Sequence, residues 1–293
     1  MKTDTLYRGS LCKDQFRFFA AETTTIVQTA RDLHDLAPLP SILMGRLLTA
    51  AALMSGELKA PKSELSLRVE GDGALKGGIA LADKEGNLKG YAFEPQLWLE
   101  PPSENFLVGK NLGQGILTIM KQSGLKAPYS GTIELVDAEI ANDLAHYYLQ
   151  SEQLPTAVNL GVLIDPSARI RSAGGFIIQQ LPFADTAVAK KLNDNLMNTP
   201  NVSDLMDMGL GIMDILKQFV FKDIEWKLSS QTPLYYYCNC SKERFARALL
   251  LLGEKELSEL PDGISPVCHY CNKEYHFSGE DIQELIQALQ EQK

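Results

Sequence analysis

The chain has 293 residues, of which 45% are hydrophobic and 22% charged, enough to fill about two globular domains and too apolar for a mostly disordered chain. Lysine and arginine number 28 against 37 aspartates and glutamates, a net charge of −9. That balance disfavours coating nucleic acid, which runs on an excess of Lys and Arg, and gives no attraction to anionic membrane surfaces.

Residues 1–19 are polar and lack the apolar stretch of a secretory leader. The most apolar run, residues 39–58, carries Arg46 and is broken by Ser55, Gly56 and Glu57. A buried helix suits it better than a membrane span, and a cytoplasmic protein is expected. Ser41 can cap a helix ending near Ser55. Leu65, Leu67 and Val69 then alternate with polar residues, the period-2 pattern of a half-buried strand. Residues 78–82 and 88–93 read as further strands, joined by turns rich in Gly, Asp and Asn, which favours antiparallel neighbours. Asp137 is placed to cap a helix through Gln150, with Ile140, Leu144 and Tyr148 on one face. Residues 132–136, 157–164 and 169–181 complete the strand candidates. The first 182 residues are therefore expected to form an α+β domain, a mostly antiparallel central sheet packed with helices.

From Phe183 to about Ser230 the pattern turns helical. Val188, Leu192 and Leu196 form one stripe, and Leu205, Ile212 and Leu216 another, with Asn198-Thr199-Pro200-Asn201 as a loop between them. Met197, Met206, Met208 and Met213 crowd this segment. They serve either as ordinary core residues or as adaptable contact surface. Residues 183–233 are read as a helical linker and 234–293 as a small C-terminal domain. In that domain Ser241 can start a helix with Phe245, Ala248, Leu249 and Leu252 on one face and Gly253 as its stop. Ser278-Gly279-Glu280-Asp281 resembles a capping box for a last helix bearing Ile282, Leu285, Ile286 and Leu289.

The chemistry concentrates in that tail. Four of the five cysteines occur as Cys238-Asn239-Cys240 and Cys268-His269-Tyr270-Cys271, separated by residues 241–267. Two short cysteine pairs supply the four thiolates of a tetrahedral structural zinc site, and a 60-residue unit with short helices needs such a staple. One Zn2+ per chain through Cys238, Cys240, Cys268 and Cys271 is the expected arrangement. A ligand set with His276 in place of one cysteine is the alternative. A cysteine pair one residue apart can also close a strained, labile disulfide, which suits a switch as well as it suits a structural clamp. Cys12 stands alone. No GxGxxG, GxxxxGK[ST], HExxH or GxSxG motif occurs: after Gly71 and Gly73 the third glycine of a dinucleotide loop would fall on Lys76. No enzyme is expected.

Tyr237-Cys238-Asn239-Cys240-Ser241-Lys242-Glu243-Arg244, followed by Cys268-His269-Tyr270-Cys271 and Tyr275, resembles the C-terminal redox switch of the redox-regulated heat-shock chaperone family, the 33 kDa chaperonins. Ser151-Glu152-Gln153-Leu154-Pro155, Ala173-Gly174-Gly175-Phe176 with Gln179-Gln180-Leu181-Pro182, and Val69-Glu70-Gly71-Asp72-Gly73 extend the likeness along the chain. The resemblance implies an ATP-independent holdase, inactive when reduced and zinc-bound. By the same likeness, oxidation pairs Cys238 with Cys240 and Cys268 with Cys271, zinc is released, and tail and linker unfold. The active form is then a homodimer that protects unfolding client proteins from aggregation during oxidative and heat stress. Two other functions compete. A thiol–disulfide oxidoreductase would place Cys268 and Cys271 at a helix N-terminus after a strand, whereas here they follow Pro266-Val267 between helices. A nucleic-acid-binding zinc ribbon is disfavoured by six Lys/Arg against ten Asp/Glu in residues 234–293.

Overall fold

The computed structural model describes residues 3–99, 107–122 and 128–291; Met1 and Lys2 of the polar N-terminal stretch fall outside them. The chain forms two compact units, Met1–Tyr237 and Cys238–Lys293. The first opens with the strands β1 (Thr5–Leu11) and β2 (Phe16–Glu22) and the helices α1 (Thr24–His34) and α2 (Pro38–Ser55). Strands β3 (Glu64–Gly71), β4 (Gly77–Asp83) and β5 (Asn87–Ala92) follow, then the short helix α3 (Val108–Leu112) and strands β6 (Gly115–Gln122) and β7 (Tyr129–Glu134). Helix α4 (Ala141–Glu152) leads into β8 (Thr156–Ile164) and β9 (Ile170–Gln180). Helices α5 (Thr186–Met197), α6 (Val202–Asp207) and α7 (Ile212–Ile215) come next, α7 running on as a π-helical turn, Leu216–Val220. Strands β10 (Trp226–Pro233) and β11 (Tyr235–Tyr236) end the unit.

The expected antiparallel content is present, divided between two sheets. One has the order β10-β1-β2-β9-β8 and the other β11-β5-β4-β3-β6-β7; every pairing is antiparallel except β11 with β5. Helix α2 lies between the sheets, touching β2, β8 and β9 of the first and β3, β4 and β5 of the second. That position explains its composition: a helix enclosed on all sides is apolar on all sides, and Leu43, Leu47, Leu48, Leu53 and Met54 are all buried. It begins at Pro38, whose fixed φ and missing N–H suit the first turn, rather than after Ser41. The Ser41 hydroxyl instead donates to Ala37 O at 2.9 Å. Its one charge, Arg46, is ion-paired to Glu139. Gly45 is the point of closest approach, where a Cβ would stand 2.7 Å from Val162 Cγ2.

The outer face of the first sheet is covered by α5, α6 and α7. Phe16, Phe18 and Ala20 of β2 and Phe176 and Ile178 of β9 are buried against Leu192, Leu205, Ile212, Ile215 and Leu216, and the Phe18 and Phe221 rings meet at a 54° tilt with centroids 4.9 Å apart. Polar contacts fix the same interface. Ile212 N, opening α7, donates to the buried Glu22 carboxylate at 2.9 Å. Ser172 Oγ donates to Ser203 O at 2.8 Å, and Arg171 pairs with Asp207 at 2.7 Å. Both predicted stripes are thus engaged. Of the four methionines, Met206 and Met213 pack partly against this core, while Met197 and Met208 are 79% and 77% exposed.

Several elements depart from the sequence reading. Residues 226–233, expected as the end of a helical segment, form β10, paired with β1 from Thr5↔Pro233 to Leu11↔Trp226. Helix α4 starts at Ala141, and Asp137 does not cap it; Asp143 does, accepting from Ile140 N at 2.8 Å and Val136 N at 2.7 Å. The face Ile140, Leu144 and Tyr148 is buried as expected.

In the second unit, α8 (Lys242–Leu250), α9 (Glu254–Ser258) and α10 (Gly279–Glu291) flank a short antiparallel ribbon bridged at Ile264↔Phe277 and Val267↔Glu274. Ser241 caps α8, accepting from Arg244 N at 3.3 Å. The capping box of α10 forms: Ser278 N donates to Asp281 Oδ2 at 2.8 Å and Asp281 N donates back to Ser278 Oγ at 3.2 Å.

Candidate metal centre

The ribbon positions one cysteine pair. Ile264 N and Phe277 N each donate to the other residue's carbonyl at 2.9 Å, and Tyr275 N donates to Pro266 O at 3.0 Å. At the tip the chain reverses around Cys268-His269-Tyr270-Cys271. Asn272 N donates to Cys268 O at 2.8 Å, Cys268 N donates to Lys273 O at 2.9 Å, and Asn272 takes a left-handed φ of 55°, which asparagine tolerates better than most residues. Cys238 and Cys240 precede the cap of α8, which fixes where their segment ends.

The fold brings all four cysteines together, and each is a free thiol. Their sulfurs lie within 4.8 Å of one another, with Cys238 Sγ 3.7 Å from Cys268 Sγ and Cys240 Sγ 3.3 Å from Cys271 Sγ. A tetrahedron with metal–sulfur bonds of about 2.3 Å has edges of about 3.8 Å, so the set has the size of a tetrahedral thiolate cage. Electrostatics agree. Burial pushes the Cys238 and Cys271 thiols up, and hydrogen bonding among the thiols adds to this. At Cys240 burial also pushes upward, but the Tyr275 hydroxyl and the other sulfurs outweigh it and bring the thiol down to about 7. The thiolate is favoured at Cys240 and opposed at Cys238 and Cys271. Four negative sulfurs at this spacing need a cation among them, and soft thiolate donors select a soft or borderline metal. The cluster can hold a metal ion and is compatible with zinc.

His276 is not part of it. The ring is exposed, with Nδ1 3.0 Å from Ser265 Oγ, and the metal-capable cluster among the described residues comprises the four cysteines. Cys268 is buried, and Cys238, Cys240 and Cys271 are half-buried. The sequence reading gave no role to the Tyr275 hydroxyl, which donates to Cys240 Sγ at 3.1 Å. Only the ribbon register, which turns this side chain back toward the sulfurs, reveals it.

The profile of the Hsp33 protein family matches residues 4–278. The chain belongs to the Hsp33 family. Among its relatives, the 33 kDa chaperonin of Desulforamulus reducens is 40% identical, over 98% of this chain and 99% of its own length. Those of Lachnoclostridium phytofermentans and Acetivibrio thermocellus are 38% and 37% identical, covering 97% and 99% of this chain and 98% and 99% of their own. The crystal structure of the Hsp33 homologue from Thermotoga maritima superimposes with a TM-score of 0.90 at 30% identity, covering 99% of this chain and all of the other. Fold and sequence together make this an Hsp33-type chaperone.

Proposed function

We propose that this Hsp33-family chain is a redox-regulated, ATP-independent holdase, switched by Cys238, Cys240, Cys268 and Cys271. The observation that carries the reading is the convergence of four free thiols in a unit with little else to hold it. Among the described residues, Leu249, Leu257, Cys268, Tyr275, Phe277, Ile282 and Ile286 make up its buried core, and Cys268 is itself a member of the thiol cluster. Zinc, when bound, balances the thiolate charge and cross-links the unit, worth about 10–16 kcal/mol in small zinc peptides. Oxidation by a peroxide takes two electrons from each cysteine pair, and we assign the pairs Cys238–Cys240 and Cys268–Cys271. The sulfurs then no longer serve as metal ligands, and a core of this size does not replace what is lost.

The division we propose is a chaperone core over residues 1–182, a linker over 183–233 and a switch over 234–293. Support for a linker that can detach lies in its interface: undocking α5–α7 would bare Phe16, Phe18, Phe176 and Ile178 on one side and Leu192, Leu205, Ile212 and Leu216 on the other. Apolar surface of that kind binds unfolding polypeptides without sequence preference, and Met197 and Met208 add adaptable contacts. A homodimer as the active form and a cytoplasmic location complete the proposal. An oxidoreductase reading gains nothing from the geometry, because Cys268 and Cys271 sit on a ribbon tip instead of a helix N-terminus.

The test couples metal to function. Reduced protein should hold one zinc per chain and leave the aggregation of heated citrate synthase unaffected. Peroxide with mild heat should release the zinc, suppress aggregation, and make residues 183–293 exchange amide hydrogens quickly while residues 1–182 stay protected. Suppression with the linker still protected would place client binding elsewhere.

A further inference from the structure

Tyr275 is held from three sides. Its backbone N–H donates to Pro266 O at 3.0 Å, its ring packs 4.9 Å from that of Phe245 at 31°, and Lys273 Nζ lies 5.2 Å from the ring centroid. The side chain is buried and its hydroxyl donates to Cys240 Sγ at 3.1 Å. This donor belongs to one side chain, so it can be removed without altering the turn that carries the cysteines.

The geometry points to Tyr275 as a positioning residue of the switch, whose hydroxyl holds Cys240 as a metal ligand and restrains its reaction with peroxide. This rests on the four-cysteine reading above. A hydrogen bond to a thiolate stabilises its charge and draws electron density from the sulfur. As a metal ligand Cys240 would be a thiolate with or without Tyr275, so there the bond adds no reactive population; it makes the sulfur a weaker nucleophile and fixes the ligand in direction. Outer partners of this kind set ligand orientation, and their loss weakens metal binding by about 10–100-fold. The step being restrained is a two-electron oxidation. Cys240 sulfur attacks one peroxide oxygen, the O–O bond breaks and hydroxide leaves, giving a sulfenic acid. The second thiolate of the pair then displaces hydroxide from that sulfur to form the S–S bond, and both hydroxides are protonated to water.

The test uses the full-length reduced protein and the variants Tyr275→Phe and Phe245→Leu. Tyr275→Phe keeps the ring and removes the donor, whereas Phe245→Leu disturbs the ring packing and keeps the donor. Zinc retention is measured by competition with a chromogenic chelator, and the oxidation rate of each cysteine by isotope-coded alkylation and mass spectrometry after a peroxide pulse. Tyr275→Phe is expected to weaken zinc retention about tenfold or more and to speed oxidation of Cys240, leaving the rate at Cys271 close to wild type. Phe245→Leu is expected to change all four rates together. Unchanged Cys240 kinetics in Tyr275→Phe, in a protein that still holds one zinc through four cysteines, overturns this assignment alone. A uniform acceleration of all four also overturns it, making Tyr275 a packing residue. A wild-type protein that holds no metal and whose four thiols alkylate at one common rate overturns both this assignment and the reading beneath it.

Discussion

Asp4 is a carboxylic acid with 6% of its surface exposed, and its Oδ2 accepts from Ile26 N at 2.7 Å. Burial outweighs that bond, with the nearby Glu22 adding to it, and raises the pKa to about 6. The folded protein therefore keeps this proton over a range in which the unfolded chain has released it. Stability from Asp4 is present below about pH 4 and is lost as pH rises to about 6; the difference amounts to about 3 kcal/mol. Asp4→Asn cannot titrate. In urea melts its stability relative to wild type should rise by up to about 3 kcal/mol between pH 4 and pH 7, and a pH-independent difference would show that Asp4 ionises as it does in water. At this scale the sequence is legible where the chemistry is local. The Ser278–Asp281 box and the Ser241 cap involve partners three residues apart, so their spacing gives them away. Asp4, Glu22 and Tyr275 act on residues that come near only through the fold, and nothing in their neighbourhoods marks them.

Among the elements, α7 with its π-turn depends on β2. The Ile212 N–H at its start is satisfied by Glu22, 190 residues away in sequence. Glu22→Ala would leave a buried donor without its acceptor, at about 1–3 kcal/mol, and the cost falls on the helical segment more than on the sheet. Amide exchange over residues 202–224 should quicken while β2 and β9 stay protected; equal protection in variant and wild type would mean that apolar packing alone holds the segment. Two of the strands without a legible sequence pattern, β2 and β10, are hidden for opposite physical reasons. Phe16–Glu22 is buried on both faces, one against α2 and one against α5–α7, so it shows a run, Phe-Arg-Phe-Phe-Ala-Ala, in place of alternation. β10 is largely exposed on its own account, Trp226-Lys-Leu-Ser-Ser-Gln-Thr-Pro, and becomes a strand through its partner β1. β3, β4, β5, β8 and β9 were legible because short turns join them and their neighbours are close in sequence.

For the whole molecule, the two units depend on different sources of stability. The first has two sheets closed over α2; the second has a small core and a thiol cluster. On the proposed zinc-bound reading, chelation of reduced protein should therefore unfold residues 238–293 while residues 5–180 keep their protected amides, and protection retained throughout the tail would show that its core suffices. The convergence of Cys238, Cys240, Cys268 and Cys271 was legible because two short cysteine pairs are easily brought to one point. The outer hydrogen bonding of the cluster was not, because that depends on the register of a ribbon with no sequence signature. The pairing of β1 with β10 has a consequence during synthesis. Residues 5–11 sit inside the first sheet between β2 and β10, so that side of β1 is an open edge until residue 233 has left the ribosome. At about 5–20 residues per second the interval is roughly 10–40 s. For that time the nascent chain carries an unpaired strand next to an uncovered Phe16–Phe18 face, an aggregation-prone combination. An Hsp33-type chaperone thus passes through an aggregation-prone stage during its own synthesis, and its yield should be sensitive to translation speed across residues 183–233.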